Sequence, residues 1–204
     1  MFLQILFLIV SICCADVATA QSDEPNFTSF GKFQLGKITL SEVVKAVGPA
    51  KIIKTGDAGE SKAEICYRIP EGIIYFLSGE MGGQDHELLG FAISINDSKQ
   101  QCANYPENIT PKMLHLGDLK LGQTKKEFAR VVGVNVRWRK NIGRAYIERK
   151  RNMNTVDIDK FPEEVKQSIL VGSTQNYFDV GISIVGTFVN NKLTKVEVWK
   201  VETY

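Results

Sequence analysis

The chain has 204 residues, 25 basic and 23 acidic, for a formal net charge of +2. That balance is too mild to mark nucleic acid as a partner. With 44% hydrophobic and 24% charged residues, the composition is globular, and the length suits one ordinary domain or two small ones sharing a core.

Phe2 to Ile12 is apolar apart from Gln4 and Ser11, and leads through Ala18-Thr19-Ala20 into polar Gln21-Ser22-Asp23-Glu24-Pro25. So short a run, followed by a small-x-small site, predicts a cleaved secretory signal peptide over residues 1–20; a membrane span needs about 20 apolar residues. No Lys or Arg precedes the run, and an uncleaved anchor is the alternative. Cys13 and Cys14 lack the small preceding residue of a lipoprotein signal. Cleavage leaves Cys66 and Cys102, and an exported chain is expected to join them as a disulfide. In a cytosolic chain they would be buried, reduced thiols. Two cysteines and two scattered histidines do not supply the roughly four ligands of a zinc site. Asn26, Asn96 and Asn108 begin N-glycosylation patterns, which matter in a eukaryotic source.

Thr39-x-x-Glu42 is a capping box that opens a helix, with Leu40, Val43, Val44 and Val47 forming its apolar stripe. Gly48 sits where a left-handed C-terminal cap is expected, and Pro49 prevents continuation. Strands are predicted at Ala63 to Ile69 and Ile73 to Ser78 around the turn Pro70-Glu71-Gly72, then through Phe91, Ile93 and Ile95. After a linker punctuated by Pro106 and Pro111, the pattern returns. Thr124-x-x-Glu127 is a second capping box, Phe128, Val131 and Val132 repeat the stripe, and Gly133 repeats the cap. Val134, Val136 and Trp138 alternate with Asn135, Arg137 and Arg139 as a strand. Pro162-Glu163-Glu164-Val165 starts a further helix, Val180, Ile182 and Ile184 mark a strand, Asn190-Asn191 suits a hairpin turn, and Leu193 to Val201 forms the last strand.

Thr39 to Gly48 thus recurs as Thr124 to Gly133, each copy preceded by a Leu-Gly pair (Leu35-Gly36 and Leu121-Gly122). Repetition at this scale predicts a duplicated supersecondary unit. The expected fold class is α+β: two tandem repeats, each a short helical segment followed by an antiparallel sheet of about four strands. The first repeat spans 21–104, the linker 105–118 and the second repeat 119–204, with the inserted helix near 161–170. Two such units side by side would cover one apolar sheet face each and leave the opposite faces open.

Phe33-Gln34-Leu35-Gly36 running into Thr39-x-x-Glu42-Val43 and Val47-Gly48-Pro49 resembles the repeat of the β-lactamase-inhibitor-protein-like fold, which outer-membrane assembly lipoproteins of the SmpA/OmlA type share. Leu119 to Gly133 resembles a second copy, and Phe188 to Trp199 resembles how the tandem proteins finish. The resemblance implies a saddle whose concave sheet face grips a protein outside the cytoplasm, with no catalysis and no cofactor. The chain departs from the inhibitors in having one candidate disulfide and no cysteine after Gly48 or Gly133. Glu71 lies near the turn that carries their blocking acid but aligns too loosely to take its role. These departures argue against β-lactamase as the particular target.

One basic run stands out: Arg137, Arg139, Lys140, Arg144, Arg149, Lys150 and Arg151, relieved by Glu148 and interleaved with Trp138 and Tyr146. It reads as an anion-binding face, for an acidic protein or an anionic envelope glycan or lipid, or as the solvated side of a hairpin. Candidate partner-binding residues are Arg137, Trp138, Arg139, Lys140, Arg144, Tyr146 and Arg149. Tyr67, Tyr75, Trp138 and Trp199 are interface anchors or core, with core favoured for Tyr75 and Trp199. His86 and His115 have no convergent partners in the sequence and read as surface residues. No nucleophile elbow, zinc-protease helix motif or Walker loop occurs, so an enzyme would need a site assembled only by the fold.

Overall fold

The structure, a computed structural model, describes residues 26–57, 60–70, 72–95, 101–106 and 114–204. The predicted signal peptide, Glu71, Asn96 and Asn108 lie outside these residues. In chain order the elements are β1 (Ser29–Phe30), β2 (Phe33–Gln34), α1 (Leu40–Val47), β3 (Ile53–Thr55), β4 (Lys62–Ile69), β5 (Gly72–Gly79), β6 (Gly90–Ser94), β7 (Ala103–Asn104), β8 (His115–Leu116), β9 (Leu119–Lys120), α2 (Lys125–Val132), β10 (Arg137–Arg139), β11 (Ile142–Asn152), α3 (Thr155–Ile158), α4 (Glu163–Leu170), β12 (Tyr177–Val189) and β13 (Lys192–Thr203).

Both principal helices begin as their sequences dictate. The Thr39 hydroxyl accepts from the Glu42 N–H while the Glu42 carboxylate accepts from the Thr39 N–H at 2.7 Å. Thr124 and Glu127 repeat this geometry at the start of α2. The backbone and hydroxyl donors of each threonine hold the two glutamates below the usual carboxylate range. Leu40, Val43 and Val47 of α1, and Phe128 and Val132 of α2, are buried. The C-terminal ends differ. Gly133 takes the expected left-handed conformation (φ 72°, ψ 2°), but Gly48 has φ 139° and ψ 171°. Pro49 accounts for the difference, because its ring pushes the preceding residue toward extended ψ.

Among the described residues, nine strands form one sheet in the order β10-β11-β12-β13-β6-β5-β4-β3, with β7 running parallel beside β4. All other pairings in it are antiparallel. This is an α+β architecture. The sequence suggested a separate four-stranded sheet for each half. Instead β13 pairs with β6, Val198 opposite Phe91, and the strands merge into one surface. Asn190 and Asn191 both have positive φ (49° and 60°), as the tight β12–β13 hairpin requires. The predicted strand from Val134 forms only over Arg137–Arg139; Val136 precedes it, buried on the same side as Trp138. α3 was not anticipated, and α4 begins after Pro162 as expected.

One face of the sheet carries the main core. Residues of β4, β5, β6, β11, β12 and β13 meet α1, α2 and the N-terminal segment there. Phe76 is its hub: Phe30, Phe33, Tyr67 and Phe91 all lie edge-on or nearly so to its ring at 5.3–6.1 Å. Truncating such a fully buried ring to alanine costs about 3–5 kcal/mol. Tyr67 belongs to this core and is no anchor. Its hydroxyl donates to the Gly48 carbonyl at 2.7 Å, and burial, helped by Tyr105, pushes its pKa up to about 12.

The opposite face was expected to be open in both halves. In the first half it is closed by Ile73, Tyr75, Leu77 and Ala92, which pack with Cys66, Cys102 and Trp199. Cys66 and Cys102 are joined as a disulfide 36 positions apart, which brings the segment bearing β7 back against β4. His86 and His115 are half-buried, not surface residues, with His86 Nε2 and His115 Nδ1 out of solvent. His86 stands in a left-handed turn (φ 54°) whose carbonyl accepts from Leu40 N–H, and this turns the ring inward. Asn26, the first residue of one N-glycosylation pattern, donates its side-chain amide to Asp118 at 2.7 Å.

Because the disulfide closes a long loop, reducing it in solution is expected to lower unfolding stability by roughly 3–4 kcal/mol in the chain-entropy model. Urea titrations of oxidised and reduced, alkylated protein measure this, and coincident midpoints would contradict it.

Candidate binding face at the sheet edge

Strand registers fix what shares the uncovered face in the second half. Arg137 lies opposite Arg144, which continues through Val185 and Glu197 to Ala92 and Tyr75. The next row runs from Tyr146 through Ser183 and Trp199 to Gly90. Two aromatics lie flat because their neighbours are glycines. A Cβ on Gly90 would stand 2.9 Å from the Trp199 ring, and one on Gly181 would collide with the Tyr146 hydroxyl. Trp199 Nε1 donates to Glu197 at 2.5 Å, which ties that ring down. Tyr146 remains 58% exposed.

The basic run does not land on one surface. Strand alternation puts Arg144, Tyr146, Glu148 and Lys150 on the uncovered face and Arg149 and Arg151 on the other. Arg137 and Arg139 are exposed on the uncovered face. Trp138 faces the covered side, edge-on to Phe128 and Phe188 at 6.2 and 5.4 Å, and the Lys125 ammonium lies 5.4 Å from its ring. It still shows 41% of its surface. Lys140 occupies the β10–β11 turn with φ 53°, where its carbonyl accepts from Lys125 Nζ at 3.1 Å. Lys150 packs over the Tyr177 ring at 3.9 Å, opposite Asp179.

Five of the seven candidate residues come together around one groove of about 850 Å³: Arg137, Trp138, Arg139, Arg144 and Tyr146. Val134, 38% exposed, adds a third large apolar side chain. Lys140 and Arg149 do not line it. The groove is open to solvent, and two of its arginines, Arg137 and Arg144, stand directly opposite each other on β10 and β11. Like charges directly opposite on neighbouring strands destabilise a sheet. Among the described residues, no carboxylate lies within ion-pair distance of Arg137, Arg139 or Arg144.

Arg151, by contrast, is structural. Its Nη1 donates to Asp157 at 2.7 Å and its Nη2 to Glu202 at 2.6 Å, while its guanidinium covers the Phe178 ring at 4.8 Å. Asp157 caps α3 reciprocally with Asn154, and Lys200, 1% exposed, donates to Glu202 at 2.9 Å. This network seats the α3 insertion on the sheet. The sequence carried its signal, Asn154-x-x-Asp157, a shorter relative of the threonine–glutamate boxes.

Among the described residues, no group of three or more His, Cys, Asp or Glu could hold a metal, and no helix is long and apolar enough to cross a membrane. A scan against protein-family models finds no match, and neither does a search of curated proteins. Among solved structures the chain is similar to one from Streptococcus mutans named "putative beta-lactamase inhibitor protein", at 11% identity over 84% of each chain and a TM-score of 0.25. So low a score assigns no role to any residue here.

Asp157 is held below the usual carboxylate range by Arg151. Glu202 is also lowered: burial opposes this, but the bonds from Arg151 and Lys200 prevail. Depressed folded values give stability that is present above the unfolded carboxylate pKa, about 4, and is lost as pH falls through the folded values. Urea unfolding at stepped pH should therefore show stability declining below about pH 4. Arg151→Met should be less stable at neutral pH by about 1–3 kcal/mol, and its acid dependence should be shallower. Parallel pH profiles for the two proteins would contradict the assignment.

Proposed function

We propose that this chain is an exported, non-catalytic module that binds a protein partner through the uncovered sheet face of its second half, with an acidic patch of the partner meeting Arg137, Arg139 and Arg144. The carrying observation is the pairing of Arg137 with Arg144. It costs the fold stability, no carboxylate among the described residues offsets it, and it stands beside an exposed Tyr146 lying on Gly181. Tyr, Trp and Arg are the residues that dominate binding hot spots, and here they share one groove. The Cys66–Cys102 disulfide suits an oxidising compartment, as export through residues 1–20 would require. We read the two helix-and-meander halves as a duplicated unit; the recurrence of the capping boxes and the antiparallel meander of four strands in each half, β3–β6 and β10–β13, favour this. An inhibitor-like role falls within the reading, and the target is defined by its acidity, not by its identity.

An anionic glycan or lipid is the competing occupant. It differs in its response to salt, since exposed charges are screened within about 8 Å at physiological ionic strength. The test is affinity capture from extracytoplasmic extract at physiological salt, using the oxidised protein and its R137E/R139E/R144E variant side by side. We expect a stoichiometric protein on the first and a loss of about tenfold or more on the second. Equal retention by the variant, or recovery of only salt-labile anionic glycan or lipid, would sink the protein-binding reading.

A further inference from the structure

The two strands at the sheet's end are of very different length. β11 runs over 11 residues, but β10 pairs with only its first three, Ile142 to Arg144. From Ala145 to Asn152, no strand among the described residues pairs with its outer edge. The residues before β10 do not pair with β11, since the ladder starts at Arg137. What remains is a bare track beside Ala145 to Lys150 that begins where β10 starts. An unpaired edge of this kind presents a row of backbone N–H and C=O groups ready to accept another strand.

We propose that this track is a strand-addition site, and that its occupant is an extended segment of the partner that alternates acidic and apolar residues. Pairing there would continue the line of β10. Alternation would then direct every second side chain to the face bearing Tyr146, Glu148 and Lys150, next to Arg144 and Arg137, where basic groups outnumber the one acid and carboxylates are complementary. The remaining side chains would fall beside Ala145 and Ile147, then Arg149, on the covered side, where apolar groups are complementary to the first two. Main-chain hydrogen bonds would give affinity and the two side-chain rows selectivity, as in other strand-addition complexes. A second copy of this chain fits poorly. β11 carries four basic residues against one acid, so two antiparallel copies would set like charges together.

This inference rests on the reading of the face as a binding surface and adds the occupant's chemistry and its mode. The probe is a seven-residue capped peptide alternating Glu and Val, titrated against the oxidised protein, with amide exchange followed residue by residue. Three further peptides accompany it: one with Lys for Glu, and two that are N-methylated on alternate residues, so that each blocks the amides of one edge. The expected result is protection of amides within Ala145–Lys150 and no binding by the Lys peptide. One methylated peptide should lose about tenfold or more in affinity, the equivalent of about 1.4 kcal/mol, and the other should bind like the parent. Equal binding by both methylated peptides, or no binding at millimolar peptide, overturns strand addition. If capture of the whole partner still depends on the arginines in that case, the face reading stands and only the mode is wrong. If the peptide pairs by one edge while capture ignores the arginines, the strand-addition site stands without the proposed partner surface.

Discussion

The pairing of β13 with β6 makes the rest of the structure possible. Each half supplies a meander of strands with an apolar side turned to the helices, and such a meander leaves an edge at its last strand. Here the two last strands satisfy each other over Lys195 to Trp199. β13 thereby becomes a central strand, with Val196 and Val198 fully buried toward the helices and Trp199 laid over Gly90 on the other side. That single ladder lets both helices and the N-terminal phenylalanines share one core, and it turns two small sheets into one broad surface.

The two faces of this surface then receive unequal treatment. The covered face is sealed by α1, α2 and the segment around Phe27 to Leu35, with α3 seated over Arg151 and Trp138 left partly exposed at the end. On the other face, the disulfide and the segment it holds close the first half over Tyr75 and Ala92. The second half keeps Tyr146 exposed there beside Arg137, Arg139 and Arg144. Its arginines set two like charges directly opposite each other on neighbouring strands, an arrangement that does not help the fold. Arg151, a few residues along the same strand, shows the alternative. There the guanidinium meets two carboxylates and a phenyl ring, and its charge serves to seat α3.

Features decided within a few residues were legible in the sequence. The threonine–glutamate boxes, the Asn190-Asn191 turn and the strands flanking Pro70 depend on local hydrogen bonds and alternation, and they stand where expected. Gly48 departs from expectation because one neighbour, Pro49, overrides the helical cap. The β6–β13 ladder was not legible, since it joins residues about a hundred positions apart and nothing in either strand names the other. The basic run was visible as composition but not as a surface. Its division into Arg144 and Lys150 on one side, Arg149 and Arg151 on the other, becomes definite only once β11 is known to be one unbroken strand. Trp138 lies on the Val136 side, as the alternation predicts. That it stays partly exposed follows from its position on the end strand, where no further strand covers it.

The same end strand explains why the candidate site lies at the edge and not at the middle of the face. Toward the centre, Trp199 and Glu197 bond to each other, and Ser183 and Gly181 offer little to grip. At the edge, the shortness of β10 exposes the backbone of β11 together with Tyr146. A longer β10 would satisfy that backbone and fill the groove. The chain instead begins β10 only at Arg137 and leaves the charged strand bare. Charge deters other copies from pairing there, since they bring the same sign, while leaving the edge open to a segment of opposite sign. One local choice, where β10 begins, therefore sets both what the edge refuses and what it can accept.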